Sequence, residues 1–206
     1  MKKVLEALGW LCSIVYPPKA ALVARVAAAH FYTGYKKRCF AHWGKGSVIA
    51  YKALRLEGLH HVSIGNRVQI SKNVQITAWT SRHGCCFSPE IIIGDDCVLR
   101  EGTHITAVNS IRIGNNLLTG NNVLITDNSH GTTTYSQMET APKFRDICSK
   151  GPVIIGNNVW LGNNVCIMPG VTIGDGAIIG ANSVVTHDIP PFSVAAGIPT
   201  KVIKQN

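Results

Sequence analysis

Acidic side chains are scarce in this sequence: 11 Asp plus Glu among 206 residues, against 20 Lys plus Arg, for a formal charge of +9. Charge of either sign makes up only 15% of the chain and 46% is apolar, so one domain with a real core is expected rather than an extended disordered chain. The composition also excludes collagen and a long coiled coil. The seven cysteines (Cys12, Cys39, Cys85, Cys86, Cys97, Cys148, Cys166) form no CxxC pair and are odd in number. Neither a disulfide framework nor a zinc site is readable from them, and a reducing compartment is expected. No uncharged run approaches the length of a membrane span.

What charge there is gathers at one end. Residues 1–57 hold ten bases and two acids, Glu6 and Glu57, and carry +8; the other 149 residues hold ten bases and nine acids and carry +1. A basic head on a near-neutral body points to an anionic partner, either a phospholipid surface or a phosphate-bearing substrate; the plain alternative is a solvated face that maintains solubility. The opening MKKVLEALGWLCSIVYPPKAALVARVAAAH has the basic start of a signal peptide, but Glu6, Pro17, Pro18, Lys19 and Arg25 interrupt its apolar run. Secretion is therefore not expected. The apolar run over 20–32 reads as a helix that caps the end of a core or lies in a membrane interface.

From Ile64 onward an aliphatic residue recurs every sixth position, and glycine often follows it. The leading residues are Ile64, Ile70, Ile76; Ile93, Leu99, Ile105; Ile113, Thr119, Ile125; and Ile155, Leu161, Ile167, Ile173, Ile179, Val185. Fourteen of the fifteen are aliphatic, and glycine follows eight of them where average usage gives about one. Four places after a leader stands a small or β-branched residue, such as Val68, Cys97, Thr103, Val159 or Ser183. That residue and the next leader are two apart, so on a strand both point to one side. Between them lie Gly, Asn and Asp, which tolerate the φ > 0 of a tight corner. Each hexad thus reads as one short strand and one corner, stabilised only by stacking on its neighbours.

The period fails in three places. Ile76 to Ile93 is 17 residues, Ile105 to Ile113 is eight, and Ile125 to Ile155 is 30. The last interval holds HGTTTYSQMETAPKFRDICSKGP and opens at a histidine. A long excursion from a strict repeat is usually functional.

This pattern resembles the hexapeptide-repeat acyltransferase family, and most closely its sugar O-acetyltransferases of capsular and lipopolysaccharide synthesis. The resemblance covers residues 60–204. It implies an all-β fold, a left-handed parallel β-helix with three hexads per coil, here with a helical N-terminal segment and a loop excursion. Residues 1–57 are then a basic helical or irregular segment, and 58–206 the β-helix domain with a C-terminal tail.

In LITDNSHG (124–131), His130 resembles the family's catalytic histidine. The likeness implies that it is the general base for transfer of an acetyl group from acetyl-CoA to a sugar hydroxyl; histidine titrates in the range such a role needs. Asp127, Glu139 or a backbone carbonyl are candidates to orient it. His104 falls near an acceptor-pocket position of related enzymes. The hexad count places His104 and His130 on different faces, to meet only across a subunit boundary, and the family's trimer implies a homotrimer here.

Residues 153–204 are similar to the family's C-terminal segment almost throughout. By that likeness Trp160, Gly162 and Asn163 line the pantetheine and thioester channel, with an outward N–H near Gly162 as a candidate oxyanion donor. Ala181 and Thr186 flank the CoA arm, and Lys201 and Lys204 meet its phosphates. His187 departs from the lysine common at that place. No metal is implied. A γ-class carbonic anhydrase shares the fold but needs three convergent histidines, and residues 125 and 135 are Ile and Tyr.

The resulting expectation is a cytoplasmic acetyl-CoA-dependent O-acetyltransferase of polysaccharide precursors. It does not bind nucleic acid, and peripheral membrane contact through residues 1–40 would bring it to a lipid-linked or nucleotide-linked acceptor. Acetylation of an antibiotic and a non-catalytic β-helix scaffold are the alternatives. A covalent route through Cys148 or Cys166 is weighed against their reading as inert apolar residues.

Overall fold

A computed structural model of the chain describes residues 1–82 and 84–205. Three parallel sheets hold most of the strands. The first contains His42–Trp43, Val62–Ile64, Glu90–Ile93, Ser110–Ile113, Val153–Ile155 and Thr172–Ile173. The second contains Val48–Ile49, Gln69–Ile70, Val98–Leu99, Leu118–Thr119, Trp160–Leu161, Ile178–Ile179 and Ser193–Gly197, and ends on the antiparallel Thr200–Gln205. The third contains Arg55–Glu57, Gln75–Ala78, His104–Ala107, Leu124–Thr126, Cys166–Ile167 and Val184–Val185. The chain visits them in rotation, one hexad to each, and every visit pairs with the previous one.

The pairing sets leader upon leader: Ile64 on Ile93, Ile93 on Ile113, Ile113 on Ile155, and Ile155 on Ile173. All fifteen leaders are at most 3% exposed. Hydrophobic burial along these stripes fixes the register, because a slip by one residue would turn every leader outward. The one polar leader, Thr119, is satisfied in place. Its hydroxyl lies 3.0 Å from that of Thr103 and accepts the Arg100 N–H at 2.8 Å.

The corners follow from residue type. Asn73, Asp96, Asn116, Asn122, Asn158, Asn164 and Asn182 all adopt φ between 57° and 59°, the left-handed region that short polar side chains tolerate best after glycine. Asparagine ladders run from coil to coil, with Asn116 donating to Asn158 at 2.9 Å and Asn164 to Asn182 at 2.9 Å. Glycine before each corner is a matter of stacking distance. A Cβ on Gly114 would sit 2.8 Å from the carbonyl carbon of Gly156 in the next coil.

The coil begins earlier than the hexad count places it. Trp43, Ile49 and Leu56 pair with Ile64, Ile70 and Ile76, so residues 42–57 add one more coil to the repeat. Their hexads lack the aliphatic-glycine signature, which is why the sequence leaves them in the N-terminal segment.

Ahead of this coil are two helices, α1 (Lys2–Val15) and α2 (Pro18–Lys36), separated by Pro17 in an extended conformation. A proline at the helix start costs nothing there and stops the preceding helix. The end of α2 caps the core: the Thr33 hydroxyl accepts the Ile49 N–H at 2.9 Å, and Tyr32 packs on the core cluster. None of α1 is buried. No single helix among the described residues is long and apolar enough to cross a membrane; the two together pass that test only as a pair bent by 66°.

The irregular intervals become two antiparallel hairpins. Ser81–Arg82 pairs with Cys85–Cys86, and Asn128–His130 pairs with Ile147–Ser149, with a short helix, Tyr135–Glu139, between them.

Candidate active site

His130 and His104 line one hollow. The His104 strand lies beside Leu124–Thr126 in the third sheet, with His104 opposite Leu124. After Thr126 the chain leaves the coil, and Asn128–His130 turns back as half of a hairpin. The expectation of two different faces fails for this reason: it counts His130 as one more hexad, whereas the hexads stop at Thr126. Both imidazoles face a cavity of about 200 Å³, walled also by Arg55, Thr77, Trp79 and Arg82.

His130 also lines a second hollow, of about 430 Å³, on the side of the later coils. Thr186, Lys150, Arg145, Met168 and Pro169 complete much of its wall. The exposed imidazole thus stands between two pockets. Its position rests on the hairpin partner Ile147 and on Gly131, whose φ of +76° and tight approach to Arg145 and Gln137 leave no room for a side chain. Arg145 in turn donates to the Thr140 and Met138 carbonyls at 2.8 and 3.0 Å, tying the excursion to itself.

Asp127 does not orient His130. Its fully buried carboxylate accepts the Val108 and Asn109 N–H groups and the Asn128 amide. His104 is half-buried, and desolvation, with a smaller contribution from the Arg55 charge, holds its pKa below the ordinary histidine value. Cys97 is packed inside the coil, where burial pushes its thiol up to about 11 and leaves it unreactive.

The residues expected to meet the acyl donor fall into separate places. Trp160 points outward from the second sheet, 51% exposed, between Leu118 and Ile178. Gly162 and Asn163 make the corner that leads into the third sheet, with Ala181 stacked on them. Thr186 lies at the other end of the third-sheet strands, in the hollow with His130. Lys201 and Lys204 sit on the last strand, opposite Ala196 and Val194. Three apart on a regular strand they would face opposite ways; the register shift between Val194 and Ala195 turns both outward.

The outward N–H expected near Gly162 is not that of Gly162 itself. Its N–H is spent on the Ile179 carbonyl at 2.8 Å, and its lack of a side chain serves stacking, since a Cβ would lie 2.6 Å from the Ala181 nitrogen. The open donor is the next one. At matching corners the residue after glycine gives its N–H to an Asn or Asp side chain one coil on: Asn66 to Asp95, Asp95 to Asn115, Asn115 to Asn157, Asn157 to Asp175, and Asn121 to Asn163. Asn163 faces Ala181, whose methyl group accepts nothing, and its N–H has no acceptor among the described residues. The signal was present in the sequence as an alanine where the repeat has asparagine or aspartate.

Among the described residues no group of three His, Cys, Asp or Glu side chains is placed to hold a metal ion.

Comparison with known proteins agrees with the repeat and the fold. Residues 152–187 match the family model of the bacterial transferase hexapeptide, six repeats. WbbJ of Escherichia coli (strain K12), named as a lipopolysaccharide biosynthesis O-acetyl transferase, is 38% identical over 118 residues, 56% of this chain and 60% of WbbJ. The galactoside O-acetyltransferase of the same organism is 43% identical over 101 residues, 47% of this chain and 44% of its own length. The matched stretches therefore span less than two thirds of these relatives. AntD, an N-acyltransferase from Bacillus cereus crystallised with dTDP and 3-hydroxybutyryl-CoA, shares the fold at TM-score 0.68 and 20% identity, over 87% of this chain and 90% of AntD. The chain thus carries stacked hexads that match the bacterial transferase hexapeptide over residues 152–187, and over part of its length it is similar to named O-acetyltransferases.

Proposed function

We propose that this protein is an acetyl-CoA-dependent O-acetyltransferase acting on a sugar hydroxyl of a polysaccharide or lipopolysaccharide precursor, with His130 as general base. The observation that carries this reading is the exposed His130 imidazole between two hollows, one walled by His104 and Trp79 and the other by Thr186 and Lys150. The first takes the acceptor and the second the end of the acyl donor. A ring nitrogen of His130 accepts the hydroxyl proton as the acceptor oxygen bonds to the thioester carbonyl carbon. The carbon–sulfur bond then breaks, and the proton passes to the departing thiolate, giving free CoA and the acetyl ester. Such a base contributes roughly 10²- to 10⁴-fold in rate.

The assembly in this reading is a homotrimer of left-handed, three-sided columns. Support comes from the two separate donor surfaces: the Trp160, Asn163 and Ala181 corner and the His130 hollow flank opposite ends of the third-sheet strands. A single CoA molecule reaching both is bound between two copies, with Lys201 and Lys204 at its phosphates. The open Asn163 N–H supplies a donor for an amide carbonyl of the pantetheine arm.

The reading also seats the enzyme on the cytoplasmic face of a membrane through α1 and α2. Val4, Leu5, Leu8, Trp10, Leu11 and Ile14 are all more than half exposed, next to Lys2, Lys3, Lys19 and Arg25, the mixture that binds anionic phospholipid.

Thiol release from acetyl-CoA tests the assignment, with neutral, amino and nucleotide-linked sugars and chloramphenicol-like drugs as acceptors. Sugar-dependent release that falls at least about 100-fold in His130→Ala, with CoA affinity retained, is expected. Turnover of the variant at the wild-type rate overturns the role of His130, and release with the drugs alone replaces sugar with antibiotic.

A further inference from the structure

The smaller hollow has a charge balance that the acetyl-transfer reading leaves unused. Among the described residues no Asp or Glu lines it, whereas Arg55 and Arg82 both do. Arg55 is neutralised by a two-pronged ion pair with Glu57 at 2.8 and 3.0 Å, and its guanidinium lies 4.9 Å from the Trp79 ring centroid. Arg82, half-buried, stands 5.5 Å from the same ring and has no carboxylate partner among the described residues. One positive charge is thus left on the wall of the cavity without a partner carboxylate among the described residues.

A second observation concerns Thr77. By strand alternation it points away from the core leader Ile76, toward the cavity, yet it is only 1% exposed and its hydroxyl has no hydrogen-bond partner. A buried hydroxyl left unpaired is costly and marks a place where a ligand atom belongs. Trp79 is fixed as a platform, its ring N–H donating to Thr106 at 3.2 Å. The cavity, at about 200 Å³, is below the usual roughly 300–1,000 Å³ of drug-sized pockets. It suits a single sugar ring.

We propose that this hollow selects a sugar unit carrying an anionic substituent, a carboxylate or a phosphate ester. Arg82 bonds the anion, Trp79 lies against the apolar face of the ring, and the Thr77 hydroxyl meets a ring hydroxyl. The inference rests on the reading of this cavity as the acceptor side of His130 and adds the charge class of the acceptor. Arg82 is a specificity-determining residue here and takes no part in bond making.

Calorimetric titration of the full-length protein with glucose, glucuronate, glucose 6-phosphate and inorganic phosphate tests it. At least one anionic sugar is expected to bind roughly tenfold more tightly than glucose, the effect of one charge-assisted hydrogen bond. Arg82→Gln, on an exposed hairpin, is expected to bring that sugar to the glucose level. Thr77→Val, close to isosteric, is expected to weaken glucose and the anionic sugar alike. The two anionic sugars separate carboxylate from phosphate as the source of the charge. Phosphate binding as tightly as glucose 6-phosphate, no sugar binding at millimolar concentration, or an anionic preference that survives Arg82→Gln overturns the proposal. Anionic binding without thiol release from acetyl-CoA leaves the proposal standing and sinks the transferase reading. Release with neutral sugars that ignores Arg82 does the reverse.

Discussion

The carboxylate of Asp127 accepts the backbone N–H of Asn109 at 2.8 Å, and its other oxygen takes that of Val108 at 2.9 Å. Val108 and Asn109 belong to the interval with two residues too many, and Asp127 stands where the chain leaves the coil toward His130. One fully buried side chain thus joins two irregularities of the repeat and sets the direction of the hairpin that carries His130.

Removing that carboxylate leaves two backbone donors without an acceptor in a closed site. Asp127→Ala is expected to lose about 2–4 kcal/mol of stability, measured by urea unfolding. It should also lower transfer although His130 itself is unchanged, because the hairpin that carries the imidazole loses its anchor. Glu139, exposed on the short helix, should tolerate alanine within about 0.5 kcal/mol. An Asp127→Ala variant as stable as wild type would show that water replaces the carboxylate.

Ala181 offers a test in the opposite direction, toward gain of stability. Ala181→Asn continues the corner ladder and gives the Asn163 N–H an acceptor, as Asn163 itself does for Asn121 at 2.8 Å. The melting temperature is expected to hold or rise. Affinity for CoA is expected to fall about tenfold, since the competing amide occupies the donor that the pantetheine arm needs. Unchanged CoA affinity by calorimetry would remove the Asn163 N–H from the donor site.

What the sequence made legible divides along physical lines. The fifteen leaders and their corners were readable because one local rule, repeated, dictates burial and turn geometry at every step. The cavity residues were not, because Arg82, Trp79 and Thr77 arrive through the hairpin and the outward strand positions, where no period constrains them. His130 was readable as a residue and misplaced in space. Its hexad count assumed that the coil continues through Asp127, and only the pairing of Asn128–His130 with Ile147–Ser149 reveals that it does not. The ion pair of Arg55 with Glu57 needed only adjacency on one strand, yet nothing in the sequence tied it to Trp79.

His104 sets a pH dependence whose sign follows from its surroundings. Burial and the Arg55 charge lower its pKa in the folded chain below the ordinary 6.5, so the unfolded chain takes up the proton first. The resulting stability is present above the unfolded value and is lost as pH falls through the folded one. Between about pH 7 and about pH 5 the melting temperature of His104→Gln is therefore expected to drop less than that of wild type. A steeper acid loss in the variant would mean that the imidazole is stabilised in its charged form, against the desolvation seen in the cavity.

The helices give the last prediction, and its logic is one of unmatched surface. Trp10 and Leu11 are 65% and 53% exposed on α1, and Phe31 is 81% exposed on α2, in a segment whose net charge is strongly positive. Apolar side chains left in water at this density are stabilised by a partner, and the neighbouring lysines select an anionic one. Trp10→Glu with Leu11→Glu in the full chain is expected to abolish cosedimentation with phosphatidylglycerol vesicles. Turnover on a soluble acceptor should be unchanged, because α1 touches neither hollow. Wild-type binding to neutral phosphatidylcholine vesicles should be weaker and nearly independent of salt, while binding to anionic vesicles should fall as ionic strength rises. Vesicle binding that survives both glutamates would place the contact on another surface of the coil and leave α1 to pair with a protein.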